Sequence, residues 1–133
     1  MVTVVKKSKL IRSYHDIKNH TELGNTRPEE LIQKLFGKAC DLIEACLKDL
    51  DSAEENNFQQ SALHALQIVL SLRFVLDTDS ENPQAITFYE TYTSIAASLL
   101  RAKNSRDRDS LIKIKTAMDE LSTAWAFIAR AND

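Results

Sequence analysis

From Ile32 onward, apolar residues return in alternating steps of four and three: Ile32, Phe36, Ala39, Ile43, Cys46 and Leu50. This is the spacing of a buried stripe on an α-helix. Leu31, Leu35 and Leu42 form a second stripe beside it, so this helix has two things to pack against. Its start is marked by Thr26-Arg27-Pro28-Glu29. Threonine is a good N-cap, a glutamate three residues on completes a capping box, and proline suits the first turn because it needs no amide donor. A short connection at Asp51 and Ser52 leads to a second predicted helix over approximately residues 53–76. From Asn56 to Leu76 its only formally charged residue is Arg73. Gln60, His64, Gln67 and Ser71 make a narrow polar stripe, and most of the remaining circumference is apolar. A helix of this kind is either enclosed by its own protein or part of a binding surface.

Asp77-Thr78-Asp79-Ser80-Glu81-Asn82-Pro83 reads as a loop. A third helix follows, with Ala85, Phe88 or Tyr89, Tyr92, Ile95 or Ala96, and Leu99 on one face, and it ends at Asn104 and Ser105. The last begins near Asp107 or Asp109, whose carboxylates favour the positive end of the helix dipole. Leu111, Ile114, Met118, Leu121, Trp125 and Ile128 give it another three-four seam. Four helices joined by connections of a few residues make antiparallel neighbours the economical arrangement. The expected fold is therefore all-α, an antiparallel four-helix bundle over residues 26–130. Residues 1–25 are less regular. They read as a basic arm or a short extra helix, with Leu10, Ile11, Tyr14 and Ile17 at helical spacing.

Composition narrows the chemistry. Two glycines and two prolines in 133 residues are too few for the many tight turns of an all-β barrel or sandwich. The net charge is −2, and the local excess of Lys6, Lys7, Lys9, Arg12, Lys18 and Arg27 has no stacking platform or recognition helix beside it. A nucleic-acid partner is not expected. Cys40 and Cys46 sit six residues apart on the first helix, roughly 9 Å along its axis and ~120° around it. They cannot pair without breaking that helix, and both read as small core residues in a reducing cytoplasm. Lys6, Lys7 and Lys9 interrupt any secretory leader, and no apolar run reaches the roughly 18 residues of a membrane span. His15, His20 and His64 lack the spacing of a metal or catalytic module, and Gly24 and Gly37 are isolated, so no phosphate loop exists. An enzyme is not expected.

Several short blocks resemble the flagellar export chaperone family FliS. Thr26-Arg27-Pro28-Glu29-Glu30-Leu31-Ile32, with Leu35-Phe36 and Ala39, is similar to that family's first-helix signature. Leu76-Asp77 at the close of the second helix, Phe88-Tyr89 in the third, and Leu121 through Trp125 follow in order. Gly37-Lys38 replaces the family's Asp-Gly pair, and Asn82-Pro83 stands where the family has a glycine-rich loop. The resemblance implies a cytoplasmic chaperone that binds the C-terminal segment of flagellin, prevents premature polymerisation and aids type III export. It implies the export apparatus as a second partner, and no cofactor or nucleotide.

Helix-in-groove packing would serve such a role. The expected client contacts are Leu31, Leu35, Leu42 and Tyr92, with core packing as the competing role for each. Leu10, Ile11, Tyr14 and Ile17 are expected to dock over an apolar groove when no client is bound. Trp125 is assigned to the core or to bracing the last helix. The alternative function is a helical adaptor or homodimerisation module with a different client.

Overall fold

The structure, a computed structural model, describes residues 4–6, 9, 12, 28–52, 55–79 and 81–131. Four helices follow in order: α1 (Pro28–Asp49), α2 (Glu55–Phe74), α3 (Pro83–Ser105) and α4 (Arg108–Ala131). They pack as a ring in which α1 touches α2 and α4, and α3 touches α2 and α4. This is the expected antiparallel four-helix bundle. The seams read from the sequence are its core. Ile32, Phe36, Ala39, Ile43 and Cys46 of α1 meet Leu111, Ile114, Met118, Leu121, Trp125 and Ile128 of α4 in one continuous cluster, with α2 and α3 supplying the rest. Among the described residues, no helix is long and apolar enough to cross a membrane.

The helix ends follow local chemistry. Asn82 adopts extended geometry, and its side-chain oxygen accepts the Gln84 amide at 2.9 Å, with Pro83 at the first helical position of α3. At the other end of α3, Arg106 takes the left-handed conformation, φ 56°, and its amide donates to Ala102 at 2.8 Å. Asp107 then receives the Asp109 amide at 3.1 Å and the Ser110 hydroxyl at 2.8 Å, which starts α4.

Two expectations need correction. The second helix ends at Phe74 rather than Leu76. Val75 and Leu76 leave it because Leu76 forms an antiparallel bridge with Val5. The Lys6 amide donates to the Val75 carbonyl at 2.9 Å, and the Asp77 amide to the Val4 carbonyl at 2.8 Å. Val4 is buried against the end of the core. Cys46 is a core residue, but Cys40 is only half-buried. Its thiol donates to the Asp119 carboxylate of α4 at 3.2 Å. Burial first, and that contact second, push the Cys40 thiol up to about 12. It is a poor nucleophile despite its partial exposure.

Candidate docking surface

The apolar second helix has a buried face and, on its opposite side, an exposed apolar stripe. Ala62, Ala65, Val69 and Leu72 are buried, whereas Leu63, Leu70 and Phe74 are exposed in steps of seven and four. On the first turns of α3, Ile86 and Tyr89 are exposed as well. Leu70, Phe74, Ile86 and Tyr89, with buried Ala85 as floor, line a groove of about 710 Å³ between α2 and α3. Exposed leucines scattered singly are ordinary, whereas aromatic and aliphatic side chains gathered along one groove make it the candidate docking surface. By contrast, the seam between α3 and α4 opens a smaller groove of about 210 Å³ lined by Ser94, Ser98 and Ser110 as well as apolar residues.

Two cations, Arg73 and Lys9, and one carboxylate, Glu90, flank the apolar floor. The Arg73 guanidinium carbon lies 5.4 Å from the Tyr89 ring centroid, and Arg73 donates to the Thr93 hydroxyl at 3.1 Å. The Lys9 ammonium lies 5.6 Å from the Phe74 ring centroid and approaches the Leu76 carbonyl at 3.4 Å. Phe74 stays 44% exposed and Tyr89 41%, so each ring keeps free surface beside its cation. Lys9 reaches the groove from a segment tied down by the Val5–Leu76 bridge and by the Lys6–Asp79 ion pair at 2.8 Å. Thr78, from the connection between α2 and α3, lines the groove where the two helices join.

The residues singled out from the sequence fall elsewhere. Leu31 is fully buried and Leu35 and Leu42 are half-buried on α1. Tyr92 is buried between Phe36, 6.2 Å away by ring centroids, and Phe88, at 5.8 Å. Burial raises the Tyr92 hydroxyl well above the ordinary phenol value. Contact with a client at Leu31 or Tyr92 therefore requires the bundle to open there. Trp125 is buried, and it lines a small apolar gap together with Val4, Ile32 and Phe88. Leu10, Ile11, Tyr14 and Ile17, like the N-cap Thr26, lie outside the described residues. Leu63, Leu70, Phe74, Ile86 and Tyr89 are not among the client contacts expected from the sequence. The signal for three of them was the excess of apolar residues on the second helix, too many for one buried face.

A family model described as "Flagellar protein FliS" matches residues 10–132. The chain belongs to the FliS family. This agrees with the resemblance carried by Thr26–Ile32, Leu76-Asp77, Phe88-Tyr89 and Leu121–Trp125. FliS proteins are chaperones of flagellar export, and membership implies a protein client. No curated protein matches the chain significantly. The two departures from the FliS pattern have local explanations. Gly37 lies where an added Cβ would meet open space, and Lys38 is exposed, so that pair faces solvent. Asn82-Pro83 builds the N-cap of α3 in place of a glycine-rich loop.

Proposed function

We propose that this chain holds the C-terminal segment of flagellin in the cytoplasm, with that segment folding as an amphipathic helix on the groove between α2 and α3. The bound segment is kept from polymerising and is delivered to the flagellar export apparatus. The observation that carries this reading is the exposed stripe Leu63–Leu70–Phe74, whose Leu70 and Phe74 share a groove with Ile86 and Tyr89, in a FliS-family bundle. From Leu63 to Phe74 the stripe runs 11 residues along α2, or about 16 Å at 1.5 Å per residue, the length of three turns of a partner helix. A segment disordered alone would spend part of its interaction energy on ordering, of order 2–5 kcal/mol, which keeps a tight complex releasable. Leu35 and Leu42, half-buried on α1, are proposed as secondary contacts.

The test is calorimetric titration with the flagellin C-terminal segment from the same source. Saturable one-to-one binding with a negative heat-capacity change is expected. Phe74→Asp, on an exposed ring, should weaken it at least tenfold while leaving the helical spectrum unchanged. Absence of binding by the folded protein would remove the flagellin assignment. A client-independent dimer whose formation is abolished by Phe74→Asp would favour a homodimerisation module instead.

A further inference from the structure

We infer that the end of this groove nearest the α2–α3 connection is a carboxylate site that receives the client's chain terminus, which orients the bound helix. The inference rests on the chaperone reading and specifies how its site recognises a partner. Four observations converge on it. Arg73 and Lys9 both sit on this end, each stacked on a half-exposed ring, so the cations are placed by the walls rather than free to wander. Among the described residues, neither lies within ion-pair distance of a carboxylate; the pairs present are Lys6–Asp79, Arg108–Asp51 and Lys115–Glu44. The hydrogen bonds of Arg73 and Lys9 go to a hydroxyl and a carbonyl, and the carboxylates nearby, Glu90 in the groove lining and Asp79 on the Lys9 side, stay beyond ion-pair distance of both. Thr78 lines the same end, where the connection from α2 to α3 crosses.

The complement of such a place is an anion attached to an apolar body. A helix lying along Leu63, Leu70 and Phe74 meets the α2–α3 connection at this end, so a chain that stops there fits without having to turn out of the groove. Direction follows from charge. The C-terminal end of a helix carries unsatisfied carbonyls and the negative pole of the dipole, and a chain end adds a full carboxylate. The N-terminal end would bring like charge against Arg73 and Lys9. The client helix therefore runs with its C-terminus at Phe74 and Tyr89. Arg73 is the stronger reader, because a guanidinium offers paired donors that match a carboxylate, whereas Lys9 acts as a point charge.

The experiment compares two flagellin C-terminal peptides, one with a free terminal carboxylate and one C-terminally amidated, titrated against the full chain and against Arg73→Gln and Lys9→Gln. Both substitutions lie on the surface, and circular dichroism checks that each variant is folded. The free acid should bind about tenfold more tightly than the amide, as a charge-assisted contact in a partly desolvated site allows. Arg73→Gln should bring that ratio close to one, and Lys9→Gln should reduce it less. Equal affinity of acid and amide would overturn the terminus site and leave the chaperone reading standing. A ratio that survives in both variants would overturn the assignment to this end of the groove. If Arg73→Gln weakens acid and amide alike, without changing their ratio, the cations read side-chain carboxylates and the inference is wrong. Failure of both peptides to bind would overturn the flagellin reading and the inference together.

Discussion

Where α1 turns into α2 and α3 into α4, Arg106 lies with its guanidinium carbon 4.7 Å from the centroid of the Phe58 ring. At the opposite end of the bundle, Arg73 stacks on Tyr89 at 5.4 Å and Lys9 on Phe74 at 5.6 Å. The same pair of groups serves different ends. Phe58 is fully buried, and Arg106 donates to the Asp49 and Leu50 carbonyls at 3.0 and 2.9 Å, which are orphan acceptors at the close of α1. Gln59 adds a bond to the Lys103 carbonyl at 2.8 Å across the same end. Arg106, Phe58 and Gln59 are thus engaged within the chain, and the assembly is a lock. At the other end the rings are half-exposed, and among the described residues neither Arg73 nor Lys9 has a carboxylate within ion-pair distance, so on the proposed reading the same contacts leave something for a second molecule. What separates a lock from a dock is whether burial and hydrogen bonding have already used the groups, not which groups are present.

The comparison is broken most directly at Arg106. Arg106→Ala removes two charge-assisted bonds to half-buried carbonyls and the stack on Phe58, and should cost about 2–4 kcal/mol in urea unfolding. Arg73→Ala should cost less than about 1 kcal/mol, because its stack is exposed and solvent replaces it. Equal costs would abolish the distinction between the two ends. Arg106→Gly sharpens it. Glycine relieves the left-handed backbone at φ 56° and should recover about 1 kcal/mol relative to alanine. If glycine is no better than alanine at this position, the backbone carries no strain and the side chain alone explains the cost.

A smaller effect is expected where the N-terminal residues meet the groove end. Val4 is buried beside Trp125, Ile32 and Phe88, and two backbone hydrogen bonds hold its strand to Val75–Asp77. Val4→Asp should release this strand without opening the helices, because local unfolding limits the damage to the contacts the strand makes. The loss should be about 1.5 kcal/mol, the burial of roughly two methylene equivalents. Hydrogen exchange reads it directly: the Lys6 and Asp77 amides should lose protection while the Val69 and Leu99 amides keep theirs. Global loss of protection would mean that the strand is integral to the bundle rather than an attachment on its open end.

The fold was legible because each helix carries its own period. The seams of α1 and α4 name their buried residues almost one for one, and Asp77–Pro83 and Asp107–Asp109 mark boundaries by their capping chemistry. The candidate docking surface was legible only in outline. Apolar residues surround α2, and the sequence pattern cannot say which stripe remains outside, because that depends on where α1 and α3 press. Tyr89 and Phe88 were interchangeable by spacing, yet Phe88 is buried and Tyr89 lines the groove. The Val5–Leu76 bridge was invisible for a different reason. It joins segments about 70 residues apart through backbone groups, which every sequence has. Cys40 was misjudged by the same limit, since its partner Asp119 lies on another helix.

The smallest effect tests whether the α1 surface is free of any demand of its own. Gly37 sits in the interior of α1, faces solvent, and has no atom within 4 Å of the position a Cβ would take. Its backbone is helical and needs no glycine. Glycine at such a position costs roughly 0.5–1 kcal/mol relative to alanine, because the unfolded chain loses more freedom on ordering. Gly37→Ala should therefore raise stability by about that amount, a few degrees in Tm for a chain of this size. Client affinity should stay unchanged if binding lies on α2 and α3. A stabilised variant that binds more weakly would make α1, where the proposed secondary contacts Leu35 and Leu42 lie half-buried, the principal docking surface. That outcome would make Phe74 and Tyr89 ordinary exposed rings, and the contrast between the two ends would then reflect burial alone.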